Sequence, residues 1–120
     1  MTDASNTTHT LMQRFHDAFE AHRPDDLDEL IGEGCVLENT TPAPDGARYE
    51  GREACLTFWK GVAFNADLAF ELEDIWASDD RGIIRWQLRW GKRDADRVRG
   101  VNIMRVRDGK IVEGMGYVKG

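Results

Sequence analysis

The chain has 120 residues, of which 41% are apolar and 32% charged, with a formal net charge of −6 at neutral pH. That is the composition of an ordinary folded domain, long enough to bury roughly two-thirds of its unfolded surface without disulfide or metal staples. It excludes a chain too polar to fold, and no apolar run approaches the ~18 residues of a membrane-spanning helix.

Residues 1–120 read as one domain, with residues 1–8 a flexible polar tail. The tail contains Asp3 and lacks the basic-then-apolar pattern of a secretory signal, so cytoplasmic residence is expected, with no membrane partner. Cys35 and Cys55 form no Cys-x-x-Cys pair and read as small buried hydrophobes. Charge is uneven: residues 1–80 carry 5 basic and 18 acidic groups, residues 81–110 carry 10 and 3. The arginines of that second stretch, Arg85, Arg89, Arg97, Arg99, Arg105 and Arg107, alternate along strands. They therefore decorate one sheet face, where Glu71 and Glu73 can pair with them. With an acidic overall balance, no nucleic-acid partner is expected.

Along the chain, Thr10 can cap a helix running to about Arg23, with Leu11, Phe15, Ala18 and Phe19 as its apolar stripe. Pro24 stops it, and Asp25 or Asp26 opens a short second helix, Leu27 to Ile31, which Gly32 and Gly34 break. Cys35 to Asn39 is a short strand, and residues 40–51 form a turn-rich loop able to lie over a cavity mouth. A third helix, roughly Arg52 to Val62, carries Ala54, Cys55, Phe58 and Trp59 at helical spacing. From Asp67 onward only strands remain: Leu68 to Trp76, Gly82 to Trp90, Arg97 to Val106 and Lys110 to Val118. The last two flank Asp108-Gly109, a pair suited to a tight antiparallel turn. The expected architecture is α+β, a curved and mostly antiparallel sheet with three N-terminal helices on its concave side.

Several stretches in this order carry a family resemblance. They are Gln13-Arg14-Phe15, Asp26-Leu27-Asp28, Val36-Leu37-Glu38-Asn39, Tyr49-Glu50-Gly51-Arg52-Glu53-Ala54, Arg99 through Arg107 and Asp108 through Glu113. Together they cover residues 10 to 118, and the chain resembles the nuclear transport factor 2-like superfamily, in particular its SnoaL-like branch of polyketide cyclases and ketosteroid isomerase relatives. The resemblance implies a cone-shaped half barrel whose open end holds a small apolar molecule, commonly in a homodimer. It also maps the isomerase's catalytic tyrosine onto Phe15, its base onto Asn39 and its acidic donor onto Asn102. Phe15 has no hydroxyl and Asn39 accepts no proton near neutral pH, whereas Asn102 can still donate to a carbonyl. The isomerase machinery in its usual form is therefore not expected.

Asn102 shares a strand face with Met104 and Val106, so it is one amide on an apolar wall. Phe15, Phe19, Phe58, Trp86, Trp90, Met104, Gly114, Gly116 and Val118 are the expected remainder of the pocket, with Asn39 at the end of the first strand. The candidate catalytic groups are Asn102, to polarise the carbonyl, and Glu38, His16 or a water held by Asn39, to move the proton. Glu38 should point away from the pocket because it neighbours Asn39 on a strand, and His16 should lie ~100° around its helix from Phe15. His16 and Glu20 stand four apart without a third partner, so a solvated helix face is favoured over metal, and no cofactor is expected. Gly114-Met-Gly116 lies within a strand and is no dinucleotide motif. Val101, Ile103, Ile111, Met115 and Tyr117 share the outer face with the arginines, the make-up of a homodimer interface. Two functions fit: a binder of a flat carbonyl compound with isomerase- or cyclase-type activity, or a non-catalytic dimeric interaction or ligand-binding module.

Overall fold

Asp108 and Gly109 both adopt positive φ, 52° and 75°, as a two-residue hairpin turn requires. They join the last two strands of a meander in a computed structural model that describes residues 3–119. The elements are α1 (Asp3–Glu20), β1 (Ile31–Glu38), β2 (Arg48–Glu50), α2 (Arg52–Phe64), β3 (Ala69–Ser78), β4 (Arg81–Arg89), β5 (Arg97–Arg107) and β6 (Lys110–Val118). One six-stranded sheet has the order β2-β1-β6-β5-β4-β3, antiparallel throughout except where β1 runs parallel to β6. It is curved and unclosed, and register shifts in β1, β3 and β6 mark bulges, which bend strands. α1 packs on β3 and β4 while α2 packs on β1 and β2, so both helices lie over one face. No helix among the described residues is long and apolar enough to cross a membrane.

The α+β class and the four meander strands match the sequence reading, but there are two α-helices rather than three. The expected helix Leu27 to Ile31 is replaced by a 3-10 turn, Pro24–Leu27, a three-residue turn and then β1. Tertiary pairing overrides local propensity here: Ile31 stands opposite Ile111 of β6, and Ile111 N donates to Leu30 O at 2.8 Å. The strand thus begins at Ile31 rather than Cys35, and Gly34, at φ 74°, sits where the register shifts instead of breaking a helix. Arg48–Glu50, read as loop, is a short edge strand on β1.

Within the described residues the first helix already runs from Asp3, well before the expected cap at Thr10. Residues 3–8 are therefore helical rather than tail; residues 1 and 2 lie outside the described residues. Ser5 and Thr8 are buried because they bond the β3–β4 turn, Ser5 Oγ accepting from Asp79 N at 2.8 Å and Thr8 Oγ1 donating to Asp79 O. The helix ends before Arg23 in a Schellman arrangement: Arg23 N donates to Ala18 O, His22 N donates to Phe19 O, and His22 takes the left-handed conformation at φ 55°.

On the outer face Glu73 receives Arg99 through two bonds of 2.7 and 2.8 Å and Arg85 through one of 3.0 Å. Arg99 above all, then Arg85, hold its carboxyl down to about 2. Ile111, expected on this outer face, is fully buried. The extra residue Val112 on β6, between the pairs Arg105–Glu113 and Val106–Ile111, puts Ile111 opposite Val106 and turns it inward.

Candidate functional site

Between the helices and the concave side of the sheet lies a cavity of about 440 Å³. Its apolar wall is a run of rings in successive contact, each pair tilted or edge-to-face: Trp59 to Phe15 (5.0 Å between centroids), Phe15 to Phe19 (4.9 Å), Phe19 to Phe70 (5.4 Å) and Phe70 to Trp86 (6.1 Å). Helix α1 supplies Phe15 and Phe19, α2 supplies Phe58 and Trp59, and the inward positions of β3 and β4 supply Phe70 and Trp86. On β6, Gly114 and Gly116 withhold side chains where the cavity needs room. A Cβ on Gly114 would stand 2.7 Å from the Trp59 ring.

Few polar groups reach this wall. Asn102 stands opposite Ile84 on β4 and Gly116 on β6, and its Oδ1 accepts the indole N–H of Trp86 at 3.2 Å. His16 lies on the α1 side with 3% of its surface exposed. Its Nε2 is 3.5 Å from Glu20 Oε1 but has no hydrogen-bond partner among the described residues. Burial pushes its pKa below the usual imidazole value against the opposing pull of Glu20, so the ring is neutral at pH 7. Asn39 and Thr41 border the same space, with Asn39 Nδ2 donating to Thr41 Oγ1 at 3.2 Å. Among the described residues no three His, Cys, Asp or Glu side chains are placed to hold a metal ion.

The SnoaL-like domain family matches residues 12–114. The chain belongs to it. This SnoaL-like chain is also similar to an NTF2-like protein of unknown function from Mesorhizobium loti, at 51% identity over 100% of this chain and 97% of that one, with a TM-score of 0.91. A protein of Kribbella flavida provisionally named a ketosteroid isomerase is 17% identical over 97% of this chain and 80% of its own, with a TM-score of 0.80. One of Sinorhizobium meliloti provisionally named a polyketide cyclase is 21% identical over 89% and 93%, with a TM-score of 0.72. At such identities the latter two show the shared fold alone. No curated protein matches the chain.

Of the residues expected to line a pocket in this SnoaL-like chain, Phe15, Phe19, Asn39, Phe58, Trp86, Trp90, Asn102, Gly114, Gly116 and Val118 all border the cavity. Met104 does not; it is fully buried behind Gly114, in the core. Trp90 is 47% exposed, while the β4–β5 connection next to it is fixed by Trp90 N donating to Asp96 O and by Arg93 clasping the Asp96 carboxylate. Glu38 borders the cavity at its edge, but its carboxylate accepts Arg48 on the neighbouring edge strand at 2.9 Å, as the parity of β1 requires. His16 corrects the sequence reading. It is no part of a solvated face, because α1 is covered on more than one side and its buried arc takes in Thr8, Met12 and His16 as well as the Leu11–Phe15–Ala18–Phe19 stripe. Phe70, Leu68, Val62, Leu88 and Val98 complete the wall and were not singled out from sequence; the alternation of Phe70 and Leu72 with Glu71 and Glu73 was the available signal.

Proposed function

We propose that this chain binds a flat, apolar carbonyl compound in the aromatic cavity and moves a proton on it, as an isomerase- or cyclase-type enzyme does. The observation that carries the reading is a 440 Å³ hollow walled by aromatic rings, with the Asn102 amide on its sheet side and the neutral His16 imidazole on its helix side. Asn102 donates to the carbonyl oxygen, which stabilises the negative charge that develops when a proton leaves the adjacent carbon. His16 takes that proton and returns it elsewhere on the same molecule, so no cofactor is consumed. Glu38 is engaged by Arg48, and Asn39 is an amide that does not ionise, so His16 is the group left for this step. The provisional names of the Kribbella and Sinorhizobium proteins agree with this chemistry.

The test uses aromatic and steroidal ketones in deuterated water. Ligands are found by thermal shift, and exchange at the carbon next to the carbonyl is followed by NMR. Asn102→Leu should weaken ketone binding ~10-fold, the worth of one desolvated hydrogen bond, and His16→Gln should abolish exchange while leaving binding in place. Binding without exchange in the wild type favours the second reading, a non-catalytic ligand-binding module, and binding of no compound defeats both.

The same proposal extends to assembly: two copies pair through the outer sheet face. Trp76, Ile103 and Tyr117 are 53%, 38% and 55% exposed there, interleaved with arginines. Sedimentation velocity should give the mass of a dimer and Ile103→Asp that of a folded monomer. A wild-type monomer at every concentration refutes the pairing.

A further inference from the structure

The structure assigns Trp86 as the residue that sets which way round the Asn102 amide faces, and thereby makes the cavity select ligands bearing a hydrogen-bond acceptor over those bearing only an N–H donor. The inference rests on the reading of the cavity as a binding site and goes further, to its ligand polarity. An indole nitrogen can only donate, so the atom it meets 3.2 Å away must be the amide oxygen. One of the two lone pairs of Oδ1 is taken by Trp86, whereas neither donor of the Nδ2–H₂ has a hydrogen bond among the described residues, so the larger unmet capacity offered to a ligand is that of a donor.

Backbone pairing explains the arrangement. Trp86 stands directly opposite Gly100, and Asn102 opposite Ile84, so the two side chains are diagonal neighbours on one face. A Cβ on Gly100 would lie 2.6 Å from Cη2 and 2.8 Å from Cζ2 of the indole. The absent side chain therefore lets the ring lie over the backbone there, with its N–H edge reaching Asn102. An unrestrained amide turns to offer either its oxygen or its nitrogen. Here, turning it would set the amide NH₂ against the indole N–H, two donors facing each other in a part-buried position.

Three tricyclic probes with the same ring frame separate the possibilities: 9-fluorenone offers an acceptor, carbazole an N–H donor, and fluorene neither. The wild type should bind fluorenone about tenfold more tightly than carbazole. Trp86→Phe keeps an aromatic ring and removes the indole donor, so the fluorenone-to-carbazole ratio should collapse to within about twofold through a gain in carbazole affinity. A structural defect alone would lower affinity for all three probes, fluorene included, and leave the ratio unchanged. In ¹⁵N-labelled wild type, the Trp86 indole proton should exchange with solvent at least ~10 times more slowly than that of exposed Trp76, a measurement that needs no variant to fold. Wild-type preference for fluorenone that survives Trp86→Phe, or a Trp86 proton that exchanges as fast as Trp76, overturns the inference and leaves the binding reading standing. If none of the three probes binds, the binding reading itself fails, and this inference with it.

Discussion

Gly114 and Gly116 sit two residues apart on one face of β6 and both border the cavity, yet a methyl group added to each meets different surroundings. At Gly114 the new Cβ would stand 2.7 Å from Cζ2 and 2.9 Å from Cη2 of Trp59. That is roughly 0.7 Å inside ordinary contact, against a buried ring already packed edge-on with Phe15. Only Met104 Sδ, at 3.1 Å, yields easily. Overpacking of this kind costs ~1–3 kcal/mol. At Gly116 the nearest atoms are Thr40 Cγ2 at 3.2 Å, then Asn102 Oδ1 and Glu38 O at 3.4 Å. A shift of Thr40 by a few tenths of an ångström relieves that contact, for less than ~1 kcal/mol. The general benefit of Ala over Gly in a strand applies to both sites and drops out of the comparison. For a chain of this length, at ~2.1 cal/mol/K of unfolding entropy per residue, each kcal/mol lowers the Tm by about 4 °C. Calorimetry should therefore find Gly114→Ala melting ~4–12 °C below wild type and Gly116→Ala within ~4 °C of it. Equal losses at the two positions would mean that the space beside Asn102 is packed rather than open, and the cavity argument would fall.

Three further outcomes follow from buried or paired groups. The His16 imidazole, read by NMR, should titrate below the usual value of 6.5 because burial disfavours its charged form, and Glu20→Gln, which removes the nearest opposing charge, should lower it further. Glu73 is held near 2 against an ordinary 4.5, so the stability it contributes is full above pH ~4.5 and lost as the pH falls toward ~2. Glu73→Gln should flatten the acid limb of a stability-against-pH curve in that window; an unchanged limb contradicts the assignment. Cys35 and Cys55 are buried thiols whose pKa values are raised chiefly by desolvation, so a disulfide-exchange reagent should leave both untouched until denaturant is added.

Much of this arrangement was legible because it follows local rules. Strict alternation along β4 and β5 places Ile84, Trp86 and Asn102 inward and the arginines outward, and Asp108-Gly109 fixes the register of the final hairpin. What escaped depends on distant partners. Ser5 and Thr8 look solvated until the β3–β4 turn arrives to bond them, and Ile31 looks helical until β6 offers it a ladder. Ile111 changed face through one bulge, which alternation cannot foresee. His16 was hidden for a related reason: a single apolar stripe implies one covered side, whereas α1 contacts strands, the 3-10 turn and the other helix. The Trp86–Asn102 bond needs both the diagonal register and the bare backbone at Gly100, and neither residue announces the other in sequence.

The parallel pairing of β1 with β6 has a consequence for the order in which the molecule is assembled. Residues 31–38 emerge early in synthesis, but the neighbour they need on one side spans residues 110–118. Until then β1 has only the three-residue β2 for company and presents an unsatisfied hydrogen-bonding edge to other chains. Joining ends so far apart in sequence is slow and comes late. A nascent chain stalled before Lys110 should therefore be sticky and hollow on that side, and the cavity between helices and sheet should be the last part of the protein to come into being.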